Sequence, residues 1–179
     1  MNGRIYVLGN IAHDATKYIC DKKKGGLSVK FPPFFMRLVG QFCMDGDEES
    51  RRIRESLPEI REAAAYCEEM GEGGILNALW YMAESLGTGF EIRLRSIPIA
   101  QQTVEVLEAY DVNPYYARSR GAWLVLAGDE ARLVQIFADR EIPYAQIGFA
   151  NDLRVRTILN GDSVRYLDRP QVDALNKIE

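Results

Sequence analysis

Thirty residues from Gly71 to Ala100, GEGGILNALWYMAESLGTGFEIRLRSIPIA, leave little freedom in how this chain folds. Ile75, Leu79, Met82 and Leu86 recur at steps of four and three, with Ala78 on the same face. That is the period of a helix burying one side. Gly73 and Gly74 stand at its start, although each glycine costs about 1 kcal/mol relative to alanine inside a helix. Glycine there permits close backbone approach, either to a neighbouring element or to an anion held by free N–H groups. Gly87 is placed to end the helix as a left-handed cap. Phe90, Ile92 and Leu94 then alternate with Glu91, Arg93 and Arg95, a strand with one buried face that Pro98 closes.

The rest of the chain adds elements of the same α/β kind. Arg4–Leu8 is a short apolar β-rich run meeting Gly9, and Ala12–Cys20 reads as a helix. His13, the chain's one histidine, sits at that helix start with Asp14. It reads either as an acid or base or as a polar first-turn residue, Asp14 favouring the dipole. Asp21–Gly26 reads as a basic turn. Phe31, Phe34, Phe35, Leu38, Val39 and Phe42 fall at helical spacing behind Pro32-Pro33, so an aromatic face must be covered by the core or by a partner. Met44–Arg52 is the most polar stretch, an exposed loop or helix start. Ser56-Leu57-Pro58-Glu59 has the form of a capping box opening a helix with Ile60, Ala64 and Cys67 on one face. Val104 and Leu107 mark a helix ending near Tyr110, and Asn113-Pro114 turns the chain. The apolar run Ala122–Ala127 fits a strand buried on both faces. Asp129 is placed to cap the helix of Leu133, Ile136 and Phe137. Tyr144–Ala150 and Leu153–Leu159 read as strands, with Asn160-Gly161 as a hairpin signal. The polar residues after Pro170 read as a surface tail or short helix.

Composition restricts function more than it names one. The 179 residues suit a single domain over 1–179, with 22–52 its least typical segment. A net charge of −4 argues against nucleic-acid and anionic-membrane partners. No run is long enough for a membrane span and no signal-peptide layout opens the chain. Cys20, Cys43 and Cys67 form no CxxC or zinc spacing and read as buried free thiols of a reducing, cytoplasmic compartment. The sequence offers no metal site.

In order along the chain, E-G-G-I-L-x-A-L, G-x-G-F-E-I, S-I-P-I, N-P-Y, S-x-G-A-W-L-V and I-P-Y-A-x-I-G resemble the C-terminal half of the AIR synthase-related superfamily. That superfamily includes aminoimidazole ribonucleotide synthase, selenophosphate synthetase, thiamine-monophosphate kinase and the hydrogenase-maturation dehydratase. The resemblance implies a layered α/β (α+β) domain, a mixed sheet with helices packed on it. It also implies ATP and Mg as cofactors, bound mainly by an N-terminal half that is not in this chain and that dimerises. On that basis the chain is the substrate-side half of an ATP-dependent ligase or phosphotransferase, incomplete alone. The alternative is a non-catalytic assembly or regulatory module that keeps the fold and forms a homodimer. The phosphate- or substrate-binding residues it points to are Glu72, Gly73, Gly74, Arg118 and Arg120, with His13 beside them. Two stretches depart from the family. This chain reads Glu69-Met70-Gly71 where many relatives read aspartate, proline and threonine. Arg120 stands where the dehydratase has a glutamate, and a guanidinium cannot serve as a base.

Overall fold

The computed structural model describes residues 2–178. In chain order the elements are β1 (Gly3–Leu8), α1 (His13–Lys22), α2 (Lys24–Lys30), α3 (Pro33–Ala63), β2 (Ala64–Glu69), α4 (Gly74–Leu86), β3 (Gly89–Arg93), α5 (Gln101–Glu108), β4 (Trp123–Ala127), α6 (Glu130–Asp139), β5 (Tyr144–Asn151), β6 (Arg156–Asn160) and β7 (Ser163–Tyr166). The strands form one mixed sheet in the order β2-β4-β1-β5-β3-β6-β7. Neighbours are antiparallel except β3 and β6, which run parallel.

The period of two in β1 divides the core. Ile5 and Val7 point to one face, where α4 lays Ile75, Leu76, Leu79 and Met82 over Phe90, Ile92, Leu124 and Leu126. Tyr6 and Leu8 point to the other face, covered by Ile53, Leu57 and Ile60 of α3 and by Leu133, Ile136 and Phe137 of α6. β4 lies between β1 and β2 under both layers, so all five of its residues are buried. Fully burying one such aliphatic side chain is worth about 1.5–3 kcal/mol, which makes these two faces the main source of stability. A third apolar cluster joins Ala15 and Ile19 of α1, Leu27 of α2, Val39 of α3, Val106 and Leu107 of α5, and Leu175.

Several elements follow the sequence closely. Gly87 caps α4 at φ 61°, and the Asp129 side chain accepts from Arg132 N at the start of α6. The hairpin between β6 and β7 pairs Asn160 with Ser163, so its two-residue turn is Gly161-Asp162, one position later than the Asn-Gly signal placed it.

Others differ, for identifiable reasons. Lys24–Lys30 is helical rather than a basic turn, anchored by buried Leu27. Met44–Arg52 is neither loop nor helix start: α3 runs unbroken for 31 residues. Ion pairs of Arg51 with Glu48 and Glu55, one turn away on either side, make that polar stretch a solvated helix face. The Ser56-Leu57-Pro58-Glu59 sequence lies inside α3 and caps nothing; Ser56 Oγ donates instead to Arg52 O at 3.0 Å. The helix ends at Ala63, and Ala64–Glu69 leaves it as an edge strand paired with β4. The alternating segment after Gly89 is strand only to Arg93, and Leu94–Ser96 is a 3-10 turn. The C-terminal segment is anchored inward, with Asp173, Ala174 and Leu175 buried.

Candidate functional site

The turn from β1 into α1 has an unusual backbone. Gly9 has φ 76°, and Ala12, the residue before α1, has φ 54°, a left-handed conformation that costs a non-glycine residue roughly 1–2 kcal/mol. Ser119 holds it there: its Oγ accepts from Ala12 N at 2.8 Å and donates to Ala117 O at 3.0 Å. The loop carrying Ser119 is tied to the sheet edge, because Gly121 N, at φ 89°, donates to Glu69 Oε1 at 2.8 Å. A side chain at Gly121 would run into Ser50 of α3.

Between α1, the middle of α3, the end of β2 and this loop lies an open cleft of about 620 Å³. α1 contributes His13, Asp14, Lys17, Tyr18 and Asp21; α3 contributes Asp47, Ser50 and Arg54; β2 contributes Glu69; the loop contributes Arg118, Arg120 and Gly121. Its charges alternate in sign. Arg118 Nε meets Asp14 Oδ2 at 2.8 Å, and the guanidinium lies 4.6 Å from the Tyr18 ring centroid, so a carboxylate and an aromatic face both orient it. Lys17 pairs with Asp47. Arg120 reaches Glu72 at 3.6 Å, with both side chains more than half exposed, a contact of little energetic weight. Arg54 is exposed and makes no ion pair among the described residues.

His13 is only 6% exposed. Its Nε2 lies 3.0 Å from Cys43 O. A carbonyl only accepts, so Nε2 carries the proton in this arrangement. The ring also meets the edge of Phe42 at 5.2 Å between centroids. Gly46 of α3 faces it, and a Cβ there would overlap the imidazole. Beside it, burial raises the Glu49 carboxyl above the ordinary glutamate value. The histidine therefore joins α1 to α3 at the inner end of the cleft.

Gly73 and Gly74 lie elsewhere. Both have positive φ, at 75° and 62°. A Cβ on Gly74 would stand 2.5 Å from Ala117 O and 2.8 Å from Tyr115 O. The start of α4 is thus pressed against the backbone of residues 115–117, and Leu76 N donates to Tyr115 O at 3.3 Å. Gly74 N donates to Gly71 O at 3.3 Å. Gly73 N donates to Asp173 Oδ2 at 2.7 Å, so the anion held at this helix end is the chain's own carboxylate. Asn77 reinforces that latch through two bonds to the Gln171 backbone, at 2.8 and 3.0 Å.

The six residues singled out from sequence therefore divide. His13, Arg118 and Arg120 line the cleft, Glu72 reaches it through Arg120, and Gly73 and Gly74 form the separate contact between α4, the 115–117 backbone and Asp173. Sequence reasoning did not select Lys17, Ser50, Arg54 or Glu69, which converge only through the packing of α1, α3 and β2. Gly46 carried no signal either, because the polar stretch around it reads as a loop, where a glycine is ordinary. Among the described residues no three His, Cys, Asp or Glu side chains are grouped to hold a metal ion.

A seven-stranded mixed sheet with α4 pressed against a short backbone segment, and a charged cleft beside it, defines the α/β domain. The family model described as "AIR synthase related protein, C-terminal domain" matches residues 5–158, and the chain belongs to that family. It is 28% identical over 116 residues to the phosphoribosylformylglycinamidine synthase subunit PurL of Ignicoccus hospitalis, covering 63% of this chain and 16% of that protein. Among solved structures it is similar to Escherichia coli HypE, with a TM-score of 0.70 and 16% identity over 100% of this chain and 53% of that one. It is also similar to AaThiL complexed with AMPPCP and TMP, with a TM-score of 0.57 and 15% identity over 90% of this chain and 48% of that one. The chain spans about half the length of these solved relatives and a smaller part of the curated one.

Proposed function

We propose that this domain is the substrate side of an ATP-dependent, AIR synthase-like protein, and that its cleft receives an anionic, phosphate-bearing substrate. The observation that carries this reading is the convergence of Arg54 and Arg120 on one cleft, the first without an ion-pair partner among the described residues and the second held only by an exposed contact. Guanidinium groups so placed can take a phosphate bidentately. Arg118, already fixed by Asp14 and Tyr18, supplies a pre-oriented positive charge behind them. One similar structure is hydrogenase maturation protein HypE in complex with ATP, and another holds AMPPCP and TMP. In this reading the nucleotide and magnesium are held mainly by a partner half corresponding to the part of those relatives that the chain does not span. When bound, they supply the phosphoryl chemistry, and the residues of this chain bind and orient the acceptor. The setting is a cytoplasmic one.

A thermal-shift series tests the proposal. Inorganic phosphate or glycerol 3-phosphate at 100 times Kd stabilises by about 2.7 kcal/mol, a rise of roughly 5–10 °C for a chain this size. The shift should be lost in Arg54→Ala and in Arg120→Ala. No shift in the wild-type chain, or one that survives both substitutions, overturns the proposal.

A second reading, an assembly module that dimerises, draws on Phe34 and Leu38. They lie one turn apart on α3 and are 62% and 41% exposed. Phe31 and Phe35, by contrast, meet with ring centroids 4.7 Å apart and pack against the chain's own third cluster. A dimer on a sizing column that Phe34→Asp dissolves would favour this reading.

A further inference from the structure

Among the described residues all three cysteines are unbonded. Cys67 is buried in the second core, and burial pushes its thiol up to about 11. Cys20 and Cys43 differ from the sequence expectation of buried thiols, for both are only partly buried. They lie on α1 and α3, with α2 between them in the chain, yet the two thiols stand near enough to act on each other. The two helices are fixed to each other at this crossing. His13 Nε2 meets the Cys43 carbonyl at 3.0 Å, and Lys17, one turn before Cys20, pairs with Asp47, one turn after Cys43. Both sulfur-bearing side chains pack against the same apolar cluster.

We propose that Cys20 and Cys43 are a disulfide-forming pair, oxidised by hydrogen peroxide, whose closure cross-links α1 to α3 along one side of the cleft. Cys43 is the attacking group: the neighbouring Cys20 thiol and the nearby Lys17 ammonium hold its thiol below the usual value. The neighbouring Cys43 thiol, with burial, holds the Cys20 thiol above it. The Cys43 thiolate attacks one peroxide oxygen, the O–O bond breaks, and a sulfenic acid forms with loss of hydroxide. The Cys20 sulfur then attacks the Cys43 sulfur, the S–O bond breaks, and a second hydroxide leaves. With the two thiol protons the sum is two thiols and one peroxide giving one disulfide and two waters. α1 carries His13, Asp14 and Lys17, and α3 carries Ser50 and Arg54. The bridge holds these two walls of the cleft at one separation.

Mass spectrometry of the intact chain after brief peroxide treatment tests this. The expected result is a loss of about 2 Da, the two thiol hydrogens, with a Cys20–Cys43 peptide on digestion and Cys67 still free. The melting temperature should rise by several degrees and fall back with dithiothreitol. In Cys20→Ser the cross-link should be absent and Cys43 sulfenic acid should be trapped by dimedone. Separate over-oxidation of the two cysteines without a bridge overturns the proposal, as does a bridge that forms equally fast in the urea-unfolded chain. Preferential trapping of Cys67 over Cys43 in Cys20→Ser also overturns it.

Discussion

Replacing Gly74 by alanine tests how tightly the start of α4 is held. At φ 62° an alanine takes on left-handed strain of about 1–2 kcal/mol. Its Cβ would also stand 2.5 Å from Ala117 O and 2.8 Å from Tyr115 O, both backbone atoms that cannot rotate aside. Relieving that overlap means separating α4 from the 115–117 segment, an overpacking cost of about 1–3 kcal/mol. It also stretches the Leu76 N to Tyr115 O bond, worth about 1 kcal/mol. The total is about 3–6 kcal/mol, a large share of the ~5–15 kcal/mol that holds a typical domain together. Gly87 is the internal control. It has nearly the same φ, 61°, but nothing lies within 4 Å of its added Cβ, so Gly87→Ala incurs the strain alone, about 1–2 kcal/mol. Urea unfolding followed by circular dichroism, with the m-value checked for constancy, measures both. If Gly74→Ala costs no more than Gly87→Ala, the close approach is not what requires glycine there.

Three further outcomes follow from the same contacts. Asp173→Ala removes the acceptor from Gly73 N and Leu175 N, so it should cost about 1–3 kcal/mol and speed amide exchange at Gly73. Gly46→Ala should cost about 1–3 kcal/mol because its Cβ meets the His13 ring, whereas in a His13→Ala background the same change should stabilise by about 1 kcal/mol as an ordinary helical glycine replacement. Burial, aided by the bond to Glu130, pushes the Tyr6 hydroxyl up to about 12 from 10.0. The unfolded chain thus releases this proton first, so stability present below pH 10 should fall between pH 10 and 12, and Tyr6→Phe should flatten that limb of a pH–stability curve.

Much of the fold is legible wherever local pattern and tertiary environment agree. The alternation of Ile5, Tyr6, Val7 and Leu8, the unbroken apolar run of Trp123–Ala127, and the stripe of Ile75, Leu79 and Met82 each name their element and its buried face. The reading fails where one local signal has two structural solutions. The spacing of Ile60, Ala64 and Cys67 fits one helical face, but hydrogen bonds from the edge of β4 draw Ala64–Glu69 into the sheet. Serine, proline and glutamate at positions 56, 58 and 59 look like a helix start. Ile53, Leu57 and Ile60, buried under the second face of the sheet, hold α3 continuous through Pro58. The site was legible in part for a similar reason. His13 lies at a helix start and Arg120 beside Gly121, where local sequence marks them, and Arg118 stands two residues before Arg120 in the same loop. Arg54 and Lys17 sit on helix faces that look solvated until α1 and α3 are laid together.

The most direct test of the binding proposal is an amide chemical-shift titration of the chain with inorganic phosphate. The account predicts saturable shifts concentrated at Ser50, Arg54 and Arg118–Gly121, and none at Gly73, whose N–H is engaged by Asp173. Shifts centred on Gly73 and Gly74, or no saturable shift at the cleft, would contradict it.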